Sequence, residues 1–205
     1  DMATGVPAMI GRCLSDLGAD VLNIEPSEGA SDRKSGHIAQ GESLDFAFTN
    51  IGKRRTILDL DNEQDRITLD ALLSDADILI ENFAPGSPQS LRLAPAELRN
   101  SHPHLVIMSV SDFGRDNCLS GWKGSDAIFQ ALGGQLSRSG LPGRSPLLAP
   151  GNIAYQSSMI QATFAVLLSY LNRLKTGLGD HLDFASVEGA AQALDPGYGI
   201  QGSAT

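Results

Sequence analysis

Short runs of aliphatic and β-branched residues alternate along this chain with helical patterns, and turn residues follow the first four runs. Such alternation is typical of a parallel sheet, because a helix usually carries the chain back before the next parallel strand. The strands are predicted at residues 21–24, 56–60, 78–80, 106–110 and 181–184. The predicted fold class is therefore α/β, a Rossmann-like parallel sheet flanked by helices, with ligand-binding loops at the carboxyl ends of the strands.

Helical patterns are predicted at residues 7–17, 63–73, 94–100, 125–132 and 153–175. The last is the longest, and Asn152 just before it is a candidate N-cap. Its apolar residues recur at spacings of three, four and seven, which predicts a broad apolar face packed into the core: Ile153, Ile160, Phe164, Leu167, Leu168 and Leu171. The Gly-, Ser- and Pro-rich segment 133–151 before this helix is predicted to be a flexible loop.

Composition argues against several classes of function. The chain has 15 Lys and Arg but 24 Asp and Glu, which gives a net charge of −9, so neither nucleic acid nor an anionic membrane surface is an expected partner. The longest apolar-rich stretch, residues 159–171, is shorter than the about 20 residues that cross a bilayer. Cys13 and Cys118 stand far apart without a metal-type motif, which is typical of a reducing compartment. A cytoplasmic location is therefore predicted.

The sequence lacks the usual motifs for binding a dinucleotide or a metal ion. The loop after the first predicted strand lacks the glycine fingerprint of dinucleotide-binding proteins, and the four histidines show no metal-ligand spacing. No metal site and no tightly bound cofactor are therefore expected. Five cations lie on loops around the first two strands, where they suit a phosphate-bearing ligand, although a solvated surface explains them equally well: Arg33, Lys34, Lys53, Arg54 and Arg55.

A second candidate cluster follows the third predicted strand. Asn82 and Phe83 place an amide and an aromatic ring at the carboxyl end of that strand, and Pro85 and Gly86 come directly after them. These groups suit hydrogen bonding and packing against a ligand. An Asx turn beside a buried Phe is the simpler alternative.

Seven segments, spread over nearly the whole chain, resemble in order the motifs of one family. This family is the class III CoA-transferases, or CaiB/BaiF family, which includes L-carnitine dehydratase, bile-acid-inducible protein F and α-methylacyl-CoA racemase. One segment resembles the family's L-R…N-P-x-L-V…S-I-S-G-F-G pattern: Leu98 and Arg99, Pro103, Leu105 and Val106, and residues 109–114. The other segments are residues 14–21, Glu25 and Pro26 with Arg33, residues 50–60, residues 75–86, Gly124 with Asp126, and residues 173–179.

The resemblance implies an acyl-CoA enzyme in which an aspartate carboxylate attacks a CoA thioester. CoA or acyl-CoA would then be a substrate, held by loops at the strand ends. The positions that match the family there, and that are assigned to CoA binding, are Glu25, Arg33, Lys53, Asn82, Phe83, Pro85, Gly86 and Arg99. The resemblance also implies a homodimer or a tandem pseudo-dimer. Residues 1–205 would be a fragment of the large domain, without the family's small domain and the segment that returns from it.

Tyr155 occupies the place of the family's aspartate. A phenol with a pKa near 10 is mostly protonated at pH 7 and cannot form an acyl anhydride. The racemase branch places a histidine where this chain has Ser125. Three other departures concern CoA binding, with Ala84 replacing an arginine and Arg92 and Ala94 replacing glycines.

These departures favour a degenerate copy, without a catalytic residue of the family type, as the silent half of a fused pair. Two alternatives stay open. One is an active transferase or racemase of the same family in which another residue serves, and the other is a CoA-binding or structural subunit without chemistry.

Overall fold

The computed structural model describes residues 1–141 and 143–194. Residue 142 of the predicted flexible loop and residues 195–205 lie outside the described part. The strands are β1 (Leu22–Glu25), β2 (Ile38–Ala39), β3 (Glu42–Ser43), β4 (Arg54–Ile57), β5 (Ile78–Glu81), β6 (Val106–Ser111) and β7 (His181–Ala185). The α-helices are α1 (Met9–Asp16), α2 (Leu44–Asn50), α3 (Glu63–Asp75), α4 (Pro88–Arg92), α5 (Pro95–Ser101), α6 (Asp126–Leu132), α7 (Ile153–Thr176) and α8 (Ser186–Leu194).

The parallel strands form two groups that the first residues of the chain connect. β1 pairs with β4, and β6 lies between β5 and β7, all in parallel. The backbone nitrogen of Asp1 donates to the Leu22 carbonyl at 2.9 Å, and the Ile24 nitrogen donates to the Asp1 carbonyl at 2.8 Å. The Met2 nitrogen then donates to the Ile80 carbonyl at 2.8 Å. The predicted α/β class with a parallel sheet is confirmed.

Helices cover the sheet on both faces, as a parallel sheet requires. Along β6, Val106, Met108 and Val110 belong to one apolar cluster, which includes residues of α1 and α7. Ile107 belongs to the opposite cluster, which includes Leu69 and Leu73 of α3. A third cluster lies beyond the carboxyl end of β6, where Phe113 packs with Phe129 of α6. Among the described residues, no helix combines the length and the apolar character that crossing a bilayer would need.

Most of the predicted core face of α7 is exposed, although Leu167 packs against the core as predicted. Ile160, Phe164 and Leu168 are 54%, 60% and 51% exposed. The buried side of the helix carries mostly small residues: Ala154, Ser158, Met159, Ala162, Thr163 and Val166. Small side chains let the helix backbone approach the sheet and α8 closely, so the larger side chains face away from the core. The helix itself exists within one residue of its predicted bounds.

Three helices and the β2–β3 hairpin were not predicted. α2 and α4 have only seven and five residues, which is too short for a clear apolar period. α8 begins directly after β7, without an intervening turn that would separate the two patterns. The five predicted strands all appear, although their bounds shift by one to three residues.

Candidate functional site

The carboxyl ends of β1, β5 and β6 place three acidic side chains at one edge of the sheet, which we call the carboxyl edge. These residues are Glu25, Glu81 and Asp112. Open α/β sheets bind ligands at this edge, because loops of variable sequence meet there on a rigid frame. The residues around each carboxylate decide what it can do.

Glu25 is buried and is bound on both oxygens. Arg33 donates to them from Nε and Nη2 at 2.5 and 2.7 Å, and the Ala30 nitrogen donates at 3.1 Å. The Arg33 hydrogen bonds hold the pKa of Glu25 below its usual range. The guanidinium also lies over the ring of Phe46, with 4.2 Å to the ring centroid. This pair fixes the loop after β1 and leaves part of the Arg33 side chain, 28%, in contact with solvent.

Asn82 and the Pro85–Gly86 turn lie at the carboxyl end of β5, where the sequence placed them. The Asn82 amide accepts from the Thr4 nitrogen at 3.0 Å and donates to the Thr4 carbonyl at 3.1 Å. The ring of Phe83 packs on an apolar cluster of the core. Gly86 has a φ of 76°, so the exposed turn before α4 has a left-handed backbone conformation that favours glycine. The Asn82 amide therefore holds the frame of the loop, while the turn faces solvent.

Lys53 is buried, and three oxygens accept from its ammonium. These are Asp1 Oδ2 at 2.8 Å, the Ala8 carbonyl at 2.6 Å and Asn50 Oδ1 at 2.9 Å. Burial lowers the pKa of Lys53 to about 8. Since an ammonium has three donors, all of its hydrogen bonds are made within the protein.

Arg99 lies away from the other predicted CoA-binding residues. It is on α5, which leads into β6, and its Nη2 is 4.0 Å from Asp180, just before β7. Both positions are at the amino ends of parallel strands. The structure therefore brings Glu25, Arg33, Asn82, Phe83, Pro85 and Gly86 to the carboxyl edge and places Arg99 at the opposite edge.

Tyr155 lies at the carboxyl edge beside Asp112. Its hydroxyl donates to Asp112 Oδ1 at 2.9 Å, and the Gly124 nitrogen donates to Asp112 Oδ2 at 2.8 Å. The Tyr155 ring meets Phe129 edge to face at 5.2 Å between centroids. Burial is the main cause that raises the pKa of Tyr155, and the neighbouring Asp112 carboxylate raises it further. The phenol is therefore a neutral hydrogen-bond donor.

Asn152 is the N-cap residue of α7, as predicted, but Asp126 supplies the side-chain hydrogen bond to the start of the helix. The side chain of Asn152 makes no capping hydrogen bond, and its backbone is left-handed with a φ of 56°. Asp126 Oδ1 accepts from the Tyr155 nitrogen at 2.9 Å, while Oδ2 accepts from Gln130 Nε2 at 2.5 Å. A carboxylate at a helix N-terminus satisfies a free amide and complements the helix dipole. This contact fixes Tyr155 relative to α6.

Arg115 and Asp112 are the residues that the sequence reading missed. The Nη2 of Arg115 donates to Glu81 at 2.6 Å and to the Phe83 carbonyl at 3.2 Å, and its Nη1 donates to Ser90 of α4 at 3.0 Å. No local pattern signals these contacts, which join segments about 30 residues apart. Asp112 did leave a signal, because it stands where the matched motif S-I-S-G-F-G has its glycine.

Arg92, which replaces a family glycine, turns its side chain toward the loop after β4. Its Nη1 donates to the Leu60 carbonyl at 3.0 Å and pairs with Asp61. Ala94, at the other replaced glycine, is the N-cap residue of α5 and makes no side-chain hydrogen bond there. Ala84 is exposed in the turn after β5.

Known proteins resemble this chain over nearly all of its length. The family model described as CoA-transferase family III matches residues 3–204. "Probable CoA-transferase Rv1866" of Mycobacterium tuberculosis is 38% identical over 98% of this chain and 26% of its own length. "Succinyl-CoA:(R)-benzylsuccinate CoA-transferase subunit BbsE" of Thauera aromatica is 33% identical over 95% of this chain and 49% of its own length.

Solved structures show the same likeness. A crystal structure of a CAIB/BAIF family protein from Brucella suis superposes with a TM-score of 0.87 at 27% identity, covering 100% of this chain and 56% of that chain. Rv3272 from Mycobacterium tuberculosis superposes with a TM-score of 0.82 at 27% identity, over 94% and 54%. The chain thus spans about half the length of most of these relatives and about a quarter of Rv1866.

Proposed function

The chain belongs to CoA-transferase family III, and from this membership we propose that it binds a CoA thioester along its carboxyl edge. The activity of the family, moving CoA between carboxylic acids, is the reaction in which such a domain would take part. The observation that carries the proposal is the assembly of three elements at one edge. They are the Glu25–Arg33 pair, the Pro85–Gly86 turn and the Tyr155–Asp112 pair.

Glu25 and Asn82 make their hydrogen bonds within the protein and Phe83 packs on the core, so on this proposal these three residues shape the loops that surround the ligand. Lys53, directly before β4, also makes its hydrogen bonds within the protein and has a structural role. Arg33 and the Pro85–Gly86 turn retain solvent-facing surface and are expected to contact CoA. Arg99 is at the other edge of the sheet and is not expected to reach the same ligand.

Position 155 does not supply the acyl acceptor. A nucleophilic carboxylate forms an anhydride with the acyl group, whereas a buried phenol with a raised pKa stays protonated. The Tyr155 hydroxyl is moreover held by Asp112. These facts support the hypothesis that the family's acceptor position is degenerate in this chain.

We expect CoA affinity to depend on charge at the carboxyl edge and not at the opposite edge. Lys34→Glu reverses an exposed cation that follows the loop after β1, next to Arg33. It should weaken CoA binding about 10-fold or more, because a carboxylate then faces the phosphates of CoA. The measurement is isothermal titration calorimetry of the purified protein with CoA.

The matched control reverses an exposed cation at the other edge. Arg99→Glu should change the CoA dissociation constant by less than about twofold, because Arg99 lies at the opposite edge of the sheet. A 10-fold change would need a loss of about 1.4 kcal/mol of binding free energy. A wild-type protein that does not bind CoA, or two variants that lose the same affinity, would contradict the proposed site.

A second large domain of the same family is proposed to cover α7. The exposed side of this helix, which we call the α7 stripe, carries Ile160, Phe164, Leu168 and Leu171. Contiguous apolar surface of this kind marks protein interfaces. A homodimer would supply the second domain from another chain. Rv1866 has the length to supply it in tandem, since the matched stretch covers 26% of Rv1866 but 49% of BbsE.

Phe164→Glu tests this pairing by placing a charge in the middle of the α7 stripe. We expect light scattering to give the mass of two chains for the wild-type protein and of one chain for the variant, because an unpaired buried carboxylate is costly. Ile67→Glu, at an exposed position on α3 over the opposite face of the sheet, should retain the mass of two chains. A wild-type protein with the mass of one chain would contradict the pairing in trans.

A further inference from the structure

The carboxyl edge holds a carboxylate that the family pattern does not have. Residues 109–114 read S-V-S-D-F-G against the motif S-I-S-G-F-G, so Val110 replaces an isoleucine conservatively and Asp112 stands at the glycine. Asp112 follows the end of β6, which is the central strand of its sheet. Its side chain therefore extends from the end of a strand that is paired on both sides.

Two departures from the family pattern meet in space at this point. Position 155, at the start of α7, has a tyrosine in place of the family's aspartate. Position 112, 43 residues earlier in the chain, has an aspartate in place of the family's glycine. Their side chains are in direct contact, with 2.9 Å from the Tyr155 hydroxyl to Asp112 Oδ1. The chain thus keeps one carboxylate beside position 155, although another residue supplies it.

We propose that Asp112 is the carboxylate that accepts the acyl group in this chain, with Tyr155 as its hydrogen-bond donor. This inference rests on the proposed binding of a CoA thioester. It makes Asp112 a catalytic residue and gives Tyr155 the role of holding the reacting oxygen in place.

The chemical steps balance without an oxidant or a net proton. An Asp112 oxygen attacks the thioester carbonyl, so a C–O bond forms, the C–S bond breaks and CoA leaves as a thiolate. The thiolate then attacks the side-chain carbonyl of Asp112, which releases the donor acid as a carboxylate and leaves an aspartyl-CoA thioester. The acceptor carboxylate attacks this thioester, so the C–S bond breaks, CoA leaves again as a thiolate and a new anhydride forms. CoA finally attacks the acceptor's acyl carbonyl, which restores the Asp112 carboxylate.

The surroundings of Asp112 suit a nucleophile better than those of its neighbours. Each of its oxygens has one donor, from Tyr155 or from Gly124, and a carboxylate has lone pairs for about four. Asp112 is only half-buried, so a ligand at the edge can reach it. Glu81, in contrast, is buried against Arg115, and Asp126 is held by the first turn of α7 and by Gln130.

The phenol is a suitable partner for this chemistry because it stays neutral. When the CoA thiolate attacks the side-chain carbonyl of Asp112, negative charge develops on the carbonyl oxygen, and a hydrogen-bond donor aimed at that oxygen stabilises the charge. Phe129 packs against the ring of Tyr155 and keeps the donor in this orientation. Burial raises the pKa of Tyr155, so its hydroxyl keeps its proton and remains a hydrogen-bond donor.

The test is detection of a covalent intermediate in the purified protein. Acetyl-CoA and succinyl-CoA serve as probes, and hydroxylamine converts an activated aspartate to a stable hydroxamate that peptide mass spectrometry can locate. We expect the modification at Asp112 in the wild-type protein and none in Asp112→Asn. Tyr155→Phe should slow its formation about 100-fold, as for loss of a donor to a reacting oxygen.

Asp116→Asn is the matched control, since Asp116 is an exposed aspartate on the same loop. It should be modified at Asp112 as fast as the wild-type protein. Asp112→Asn keeps an acceptor for the Tyr155 hydroxyl, and a thermal melt checks its folding. If that variant does not fold, the modified peptide of the wild-type protein decides the question alone.

The outcomes separate this inference from the proposed function. A wild-type protein that binds CoA in calorimetry but carries no modified aspartate overturns the role of Asp112 and leaves CoA binding intact. Modification of Tyr155→Asp at residue 155, with none in the wild-type protein, would identify a silent copy instead. Absence of CoA binding would remove both proposals.

Discussion

Lys53→Met is expected to lower the free energy of unfolding by about 3–5 kcal/mol, the usual cost of removing one partner from a buried ion pair. The Lys53 and Asp1 side chains are each only 1% exposed. Methionine fills a similar volume but leaves the Asp1 carboxylate without its cation. The substitution also removes the hydrogen bonds from Lys53 to the Ala8 carbonyl and to Asn50 Oδ1. These hydrogen bonds connect the first residues of the chain to the segment before β4.

Chemical denaturation of Lys53→Met and Lys34→Met measures this effect. Lys34 is exposed, so its replacement should change the free energy of unfolding by less than about 0.5 kcal/mol. If Lys53→Met unfolds at the wild-type denaturant concentration and instead loses CoA affinity, Lys53 contacts the ligand and the structural role given to it here is wrong.

Phe129→Ala is expected to cost about 3–5 kcal/mol of stability, because truncating a buried Phe loses its burial and leaves a cavity. Phe129 is fully buried. Its ring contacts Phe113 at 6.0 Å and Tyr155 at 5.2 Å between centroids. The variant should therefore also loosen the Tyr155–Asp112 pair.

The neighbouring position provides the control for Phe129. Ile128 is 40% exposed on the same helix, so Ile128→Ala should cost much less, about 1 kcal/mol. Denaturation curves of both variants measure the difference. Equal losses for the two variants would show that the cluster of Phe113, Phe129 and Tyr155 does not hold this part of the edge together.

The sheet could be predicted from the sequence because its signals are local. Runs such as the one in β6 are mostly apolar and nearly all buried, since helices cover both faces of the strand, and turn residues mark where they end. The orientation of α7 could not be predicted in the same way. Large apolar residues normally identify the buried side of a helix, but here the close approach of Ala154, Ala162 and Val166 to the core decides it.

The candidate site was predictable only as a set of positions. The strand pattern placed Asn82 and Phe83 at the carboxyl end of β5, and the order of the motifs placed Tyr155 at the family's aspartate position, at the start of the long helix. Sequence could not show that Lys53 is enclosed by main-chain and side-chain oxygens, nor that Asp126 reaches the amide of Tyr155. Such contacts depend on how distant segments pack.

A crystal structure of the protein with bound CoA would show where the ligand lies. We expect CoA along the carboxyl edge, with its phosphates near Arg33 and Lys34 and its thiol at the Tyr155–Asp112 pair. A CoA molecule bound at the opposite edge beside Arg99 and Asp180, or with its thiol remote from Asp112, would contradict this expectation.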